Sequence, residues 1–194
     1  MPQRVAVFID YQNIYNLGRE AFGEKNAAPW CGQFSPLMVA NEIVKRREDS
    51  VLEKVHLYRG MPSSRKDAKG SAACSRQINA WSKLPKVRAT WRPLRYPYDW
   101  PNEKAEEKGV DVNLAVDFLM GAVHDEYDVG VLFSGDSDMK PLLFAVEDLL
   151  SPDAIEVVAW NPPLPRYPVR VSLGGPPNRR PFCHFHRLHQ AAAR

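Results

Sequence analysis

Hydrophobic and polar positions along the chain fall into repeated strand-and-helix units. Arg4-Val5-Ala6-Val7-Phe8-Ile9-Asp10 is a run of five apolar residues ending in a carboxylate, and Tyr11-Gln12-Asn13 leads into a helical pattern through about Phe22. Ser35-Pro36 places a capping residue before a proline at the first helical position and predicts a helix to about Glu48. Val51 to Tyr58 reads as a strand, Ser75 to Trp81 as a helix, and Val87 to Trp91 as a third strand. A helix opens at Lys108-Gly109-Val110-Asp111 and continues through Leu114, Val116, Phe118 and Leu119 to about His124. The apolar run Val131 to Phe133 then breaks into Ser134-Gly135-Asp136-Ser137-Asp138. Met139, Leu142, Leu143, Val146 and Leu149 follow at helical spacing, and Ile155 to Trp160 gives a fifth strand.

Five such units in alternation predict a three-layer α/β domain with a parallel sheet, right-handed crossovers and helices on both faces. The two acidic turns, one after the first strand and one after the fourth, meet only if those strands are neighbours. The order 3-2-1-4-5 achieves this and opens a crevice between them at the carboxyl ends, where open α/β sheets place their ligands.

At 194 residues, 44% hydrophobic and 25% charged, the chain has the composition of one globular domain with a substantial core. Seven prolines between Pro162 and Pro181 rule out a helix or a central strand there. The expected division is therefore a domain over residues 1–160 and a proline-rich extension over 161–194. The net charge of +3 is unevenly spread: residues 161–194 hold six arginines and no acid, so the rest of the chain is slightly acidic. A basic tail suits polyanions, though it serves equally as solvated surface.

Cys31, Cys74 and Cys183 are widely spaced, odd in number and form no Cys-x-x-Cys pair. The expectation is a reducing cytoplasm, without signal peptide, membrane span or membrane partner. Cys183, His184, His186 and His189 match no standard zinc spacing, and Pro181 to Phe185 reads as well as a short terminal strand.

The chemistry lies in the acids. Asp10, Asp111, Asp136 and Asp138, with no histidine or cysteine among them, make a hard oxygen set suited to Mg²⁺ or Mn²⁺. Three of them also have a plainer use: Asp10 or Asp136 as a helix cap, Asp111 as a carboxylate in the first turn of a helix. Asp117 lies about 120° around that helix from Asp111 and ranks below it. Arg59, Arg65, Lys66 and Lys69 crowd a segment rich in Gly, Pro and Ser that leaves the second strand at the same sheet edge, where they could hold a phosphate backbone or simply be solvated. Trp91, Tyr96, Tyr98 and Trp100 interleave with Arg92, Arg95 and Lys104, a mixture used to stack single-stranded nucleic acid and also to pack a loop onto its domain.

Asp10 with Asn13, Lys108-Gly109-Val110-Asp111, and Ser134-Gly135-Asp136-Ser137-Asp138 followed by Pro141-Leu142 together resemble the NYN domain, in particular its LabA-like branch, within the PIN-like nucleases. The resemblance spans about residues 4 to 160. It implies a PIN-like Rossmannoid fold and divalent-metal-dependent endoribonuclease activity on single-stranded or structured RNA, with Asp10, Asp111, Asp136 and Asp138 as metal-binding, catalytic residues. It further implies that Asn13 and Ser134 orient metal or phosphate; from charge alone, Lys108 is expected to join the basic segment in gripping phosphates. The chain departs from the family pattern after Asp148, where Ser151-Pro152-Asp153 precedes the fifth strand. A haloacid-dehalogenase-type phosphatase would carry a second aspartate two residues after Asp10, where this chain has Gln12. The stronger alternative is a non-catalytic module that binds RNA or a protein partner and retains the acidic pocket. A homo-oligomer or a protein partner is compatible with the pattern but unassigned.

Overall fold

The computed structural model describes residues 1–22, 32–161 and 182–183. Their elements are β1 (Gln3–Asp10), α1 (Tyr11–Phe22), α2 (Pro36–Val44), β2 (Ser50–Met61), α3 (Ala68–Trp81), β3 (Val87–Pro93), α4 (Val110–Val123), β4 (Val129–Phe133), α5 (Lys140–Leu149), β5 (Ile155–Val158), β6 (Trp160–Asn161) and β7 (Phe182–Cys183). The first five strands form one sheet in the order β3-β2-β1-β4-β5, with every pairing parallel. This is the predicted 3-2-1-4-5 arrangement.

The central strand shows why both faces must be covered. Successive side chains of a strand point to opposite faces, and in β1 both sets are apolar. Val5, Val7 and Ile9 join Ile14 of α1, Val39 and Ile43 of α2, and Ile78 and Trp81 of α3 in one buried cluster. Ala6 and Phe8 join Leu114 and Phe118 of α4 and Leu143 and Val146 of α5 in the other. A strand apolar on both sides between two helical layers is the expected signature of a parallel sheet. Trp160 closes the first cluster: its ring meets Phe34 and Phe133 edge-on, and its Nε1 donates to the Ile14 carbonyl at 2.8 Å.

Element ends differ from the sequence expectation in four places. Strand β2 continues to Met61, with Arg59 opposite Trp91 and Gly60 opposite Arg92. Arg59 therefore belongs to the sheet and not to the basic loop. Helix α3 starts at Ala68, because the Asp67 side chain caps it by accepting the Gly70 amide at 2.8 Å. Helix α2 ends at Val44, short of Glu48, before a turn in which Asp49 takes a left-handed φ of 46°. The fifth strand stops at Val158, and Trp160–Asn161 pairs separately and in parallel with Phe182–Cys183. Cys31, the proline-rich run 162–181 and His184, His186 and His189 lie outside the described residues. No helix among the described residues is long and apolar enough to cross a membrane.

Candidate active site

Asp10 is the last residue of β1 and is buried, with 4% of its surface exposed. Its neighbour across the sheet is the turn after β4, because Ile9 registers with Phe133. Two hydrogen bonds tie the two acidic turns together, and one more within each turn fixes its shape. The Asn13 amide donates to Asp10 Oδ1 at 3.1 Å, and the Ser134 hydroxyl donates to Asp10 Oδ2 at 3.4 Å. Ser134 Oγ in turn accepts the Asp136 amide at 3.1 Å, while Asn13 Oδ1 accepts the Gly135 amide at 2.9 Å. One hydroxyl thus separates Asp10 from the Asp136 backbone, and Asn13 spans from α1 to the β4 turn. Asp136 Oδ1 also accepts the Asp138 amide at 2.9 Å, starting a short 3₁₀ turn ahead of α5. The capping role and the place beside Asp10 coexist, since capping uses only one carboxylate oxygen.

The third contribution comes from the start of α4. Gly109, with φ of 73°, makes a left-handed entry that a side chain would strain, and Asp111 then sits in the first helical turn. The charges of Asp10, Asp111 and Asp136 interact. Burial, opposed by the Asn13 amide and reinforced by Glu107, Asp111 and Asp136, pushes the Asp10 carboxyl up to about 7. Asp111 is also raised, by partial burial and then by Asp136 and Asp138.

Glu107 is a residue that the sequence did not single out. It is half-buried, and its Oε1 accepts the Gly60 amide at the end of β2. A methyl group on Gly60 would stand 2.7 Å from that oxygen and collide with Leu94, so glycine here lets the glutamate approach the strand. Burial and Asp111 raise the Glu107 carboxyl, against the Gly60 amide and Arg59. Its sole sequence signal is its place next to Lys108-Gly109-Val110-Asp111; Glu103 and Glu106, in the same charged stretch, are exposed.

The basic residues divide by location. Arg59 is half-buried, its guanidinium 5.0 Å from the Tyr11 ring centre and 5.8 Å from that of Trp81, with Nη1 donating to Gln77. Lys66 lies 4.9 Å from the centre of the Tyr96 ring, and Tyr96 fixes the loop by accepting the Ser63 amide at 2.9 Å. Arg65 and Lys69 are exposed. Lys108 is exposed too, 3.8 Å from Glu106. Arg92 donates to Asn113 Oδ1 at 3.1 Å, which places a cation against the first turns of α4. Asp117 is turned elsewhere, accepting the Tyr58 hydroxyl at 2.8 Å.

Among the described residues, no three acidic, histidine or cysteine side chains are gathered closely enough to hold one metal ion. The donor chemistry nevertheless fits a hard cation. The cluster is all oxygen, its buried member has no cation paired with it among the described residues, and its charges repel one another. Mg²⁺ is commonly held by only one or two carboxylates, with water and substrate phosphate completing its shell.

A parallel 3-2-1-4-5 sheet with acids at the carboxyl ends of its two central strands defines an α/β domain of the PIN-like type. The NYN domain family model matches residues 4–149, and the chain belongs to that family. Among solved structures, a protein of unknown function from Vibrio parahaemolyticus is similar in fold, with a TM-score of 0.52, 17% sequence identity and 82% of each chain covered. No curated protein matches.

Proposed function

We propose that this NYN domain is a divalent-metal-dependent endoribonuclease. The observation that carries the reading is the buried Asp10 carboxyl at the end of β1, joined through the Ser134 hydroxyl to the Asp136 turn, repelled by Glu107, Asp111 and Asp136, and with no cation paired to it among the described residues. Burying mutually repelling carboxylates costs free energy that a bound cation relieves. Asp10, Asp111, Asp136 and Asp138 are the residues that would hold Mg²⁺ or Mn²⁺, and when bound the ion supplies Lewis-acid polarisation of a phosphodiester and activation of water. Asn13 and Ser134 keep the two acidic turns in register. Glu107 adds negative charge on the β2 side. Arg65, Lys66, Lys69, Lys108 and Arg92 offer charge to phosphates flanking the cleaved bond.

The test is purified protein incubated with a panel of labelled RNAs and DNAs, with Mg²⁺ or Mn²⁺ and with chelator. Cleavage of RNA that disappears in chelator supports the reading. Among the described residues no three acids are gathered closely around one point, which favours one competitor, a non-catalytic RNA-binding module. RNA binding unaffected by chelator, without cleavage of any substrate, would establish that competitor instead.

A further inference from the structure

Beside the acidic cluster, a cleft of about 550 Å³ opens between α1 and α3, lined among others by Tyr11, Gln12, Gln33, Arg59, Arg76 and Gln77. Its size falls in the range of roughly 300–1,000 Å³ typical of small-ligand sites. It shares the sheet edge with the acids: Gln12 lies two residues after Asp10, and Arg59 directly follows Tyr58, the register partner of Asp10. Its charge, however, is opposite. Arg59 and Arg76 both line it, and neither has a carboxylate within ion-pair distance among the described residues.

Arg59 is held in place. Its guanidinium rests over Tyr11 and Trp81, Nη1 donates to Gln77 Oε1, and Gln77 Nε2 donates to the Tyr11 hydroxyl at 2.7 Å. Its Nε is buried and has no hydrogen-bond partner among the described residues. A buried donor without an acceptor is uncommon in a folded protein and costs free energy. A fixed cation, a second arginine that is exposed on α3, and the side-chain amides of Gln12 and Gln33 together match a nucleotide: phosphate for the guanidinium groups, base edge for the amides.

We propose that this cleft holds one nucleotide of the RNA strand adjacent to the cleaved bond, with phosphate on Arg59 and Arg76 and the base against Gln12 and Gln33. The identity of the strand rests on the nuclease reading of the acids; the capacity to bind a nucleotide does not. The test is anisotropy of a fluorescein-labelled tetraribonucleotide in chelator, with wild type, Arg76→Gln and Lys83→Gln. Lys83 is exposed just beyond α3 and serves as a matched loss of charge. Arg76→Gln should weaken binding about 10-fold, equivalent to about 1.4 kcal/mol, and Lys83→Gln less than about twofold. Equal effects of the two substitutions, or none from Arg76→Gln, would overturn the proposal. In a second measurement, a 5′-mononucleotide should shift the side-chain amide NMR signals of Gln12 and Gln33. The same shifts with inorganic phosphate would reduce the cleft to an anion site and overturn it as well. Metal-dependent cleavage with binding indifferent to Arg76 removes the cleft and leaves the nuclease. Binding dependent on Arg76 without any cleavage removes the nuclease and leaves the cleft.

Discussion

At Asp10 the folded chain holds a carboxyl that accepts from Asn13 and Ser134 but is still pushed up to about 7, because burial and three neighbouring acids outweigh those donors. A carboxyl raised in the folded state stabilises fully below its ordinary value of 3.8 and loses that contribution as pH rises toward about 7. Asp10→Asn should therefore make the metal-free protein more stable above pH 7, by on the order of 2–4 kcal/mol, and thermal melts across pH 4–8 would show it. The same substitution should reduce any stabilisation by added Mg²⁺. A variant no more stable than wild type at pH 8 would contradict this account of Asp10. His56 acts in the opposite direction. It is buried, stacked on Phe8 at 4.6 Å, and pushed down to about 4 by burial and then by Lys54 and Arg88. Its contribution is intact above pH 6.5 and falls away as pH drops toward about 4. His56→Phe, which keeps a ring on Phe8, should flatten that acid-side loss in the same melts.

At the scale of elements, the pairing of β1 with β4 brings the two acidic turns together, and Asn13 holds them there through the Gly135 amide. Asn13→Ala leaves that amide without its acceptor. Cleavage should fall by about 10- to 100-fold, the usual cost of losing a residue that orients a metal ligand, with melting little changed; a fall in RNA affinity without a fall in turnover would contradict an orienting role. The sheet order is legible in the sequence because β1 and β4 each carry an unbroken apolar run followed by an acidic turn, which identifies the strands and makes them neighbours if the two turns are to meet. The start of α3 is not, because Ala68-Lys69-Gly70-Ser71 has no apolar period and only the Asp67 cap commits it to helix. The sequence puts Arg59 in a loop for a related reason: Gly60 and Pro62 suggest a turn, whereas Gly60 serves the approach of Glu107 to β2. Glu107 itself is hidden, since only tertiary packing separates it from Glu103 and Glu106.

At the scale of the whole molecule, the members of both hydrophobic clusters among the described residues run from Val5 to Trp160. A chain ending at Asn161 should thus keep the fold, with a far-ultraviolet spectrum and a melting transition close to those of the full chain. Its RNA affinity should depend less on salt, because residues 162–194 carry six arginines. For every phosphate that those arginines neutralise, the truncation should lower the slope of log K against log salt by about 0.7 on a single strand. An unfolded truncation would place essential core in the extension, and an unchanged salt slope would remove it from RNA binding.

In the proposed mechanism the acids at the carboxyl ends of β1 and β4 would hold the metal for RNA cleavage. This is tested most directly by the initial rate of cleavage of one labelled RNA across a Mn²⁺ titration, for wild type and Asp136→Asn side by side. Asparagine keeps the size and the oxygen that accepts the Asp138 amide while removing the charge. The rate should saturate with Mn²⁺ in wild type, vanish in chelator, and fall about 100-fold or more in the variant. Equal rates in the two proteins, or a rate indifferent to chelator, would contradict that mechanism.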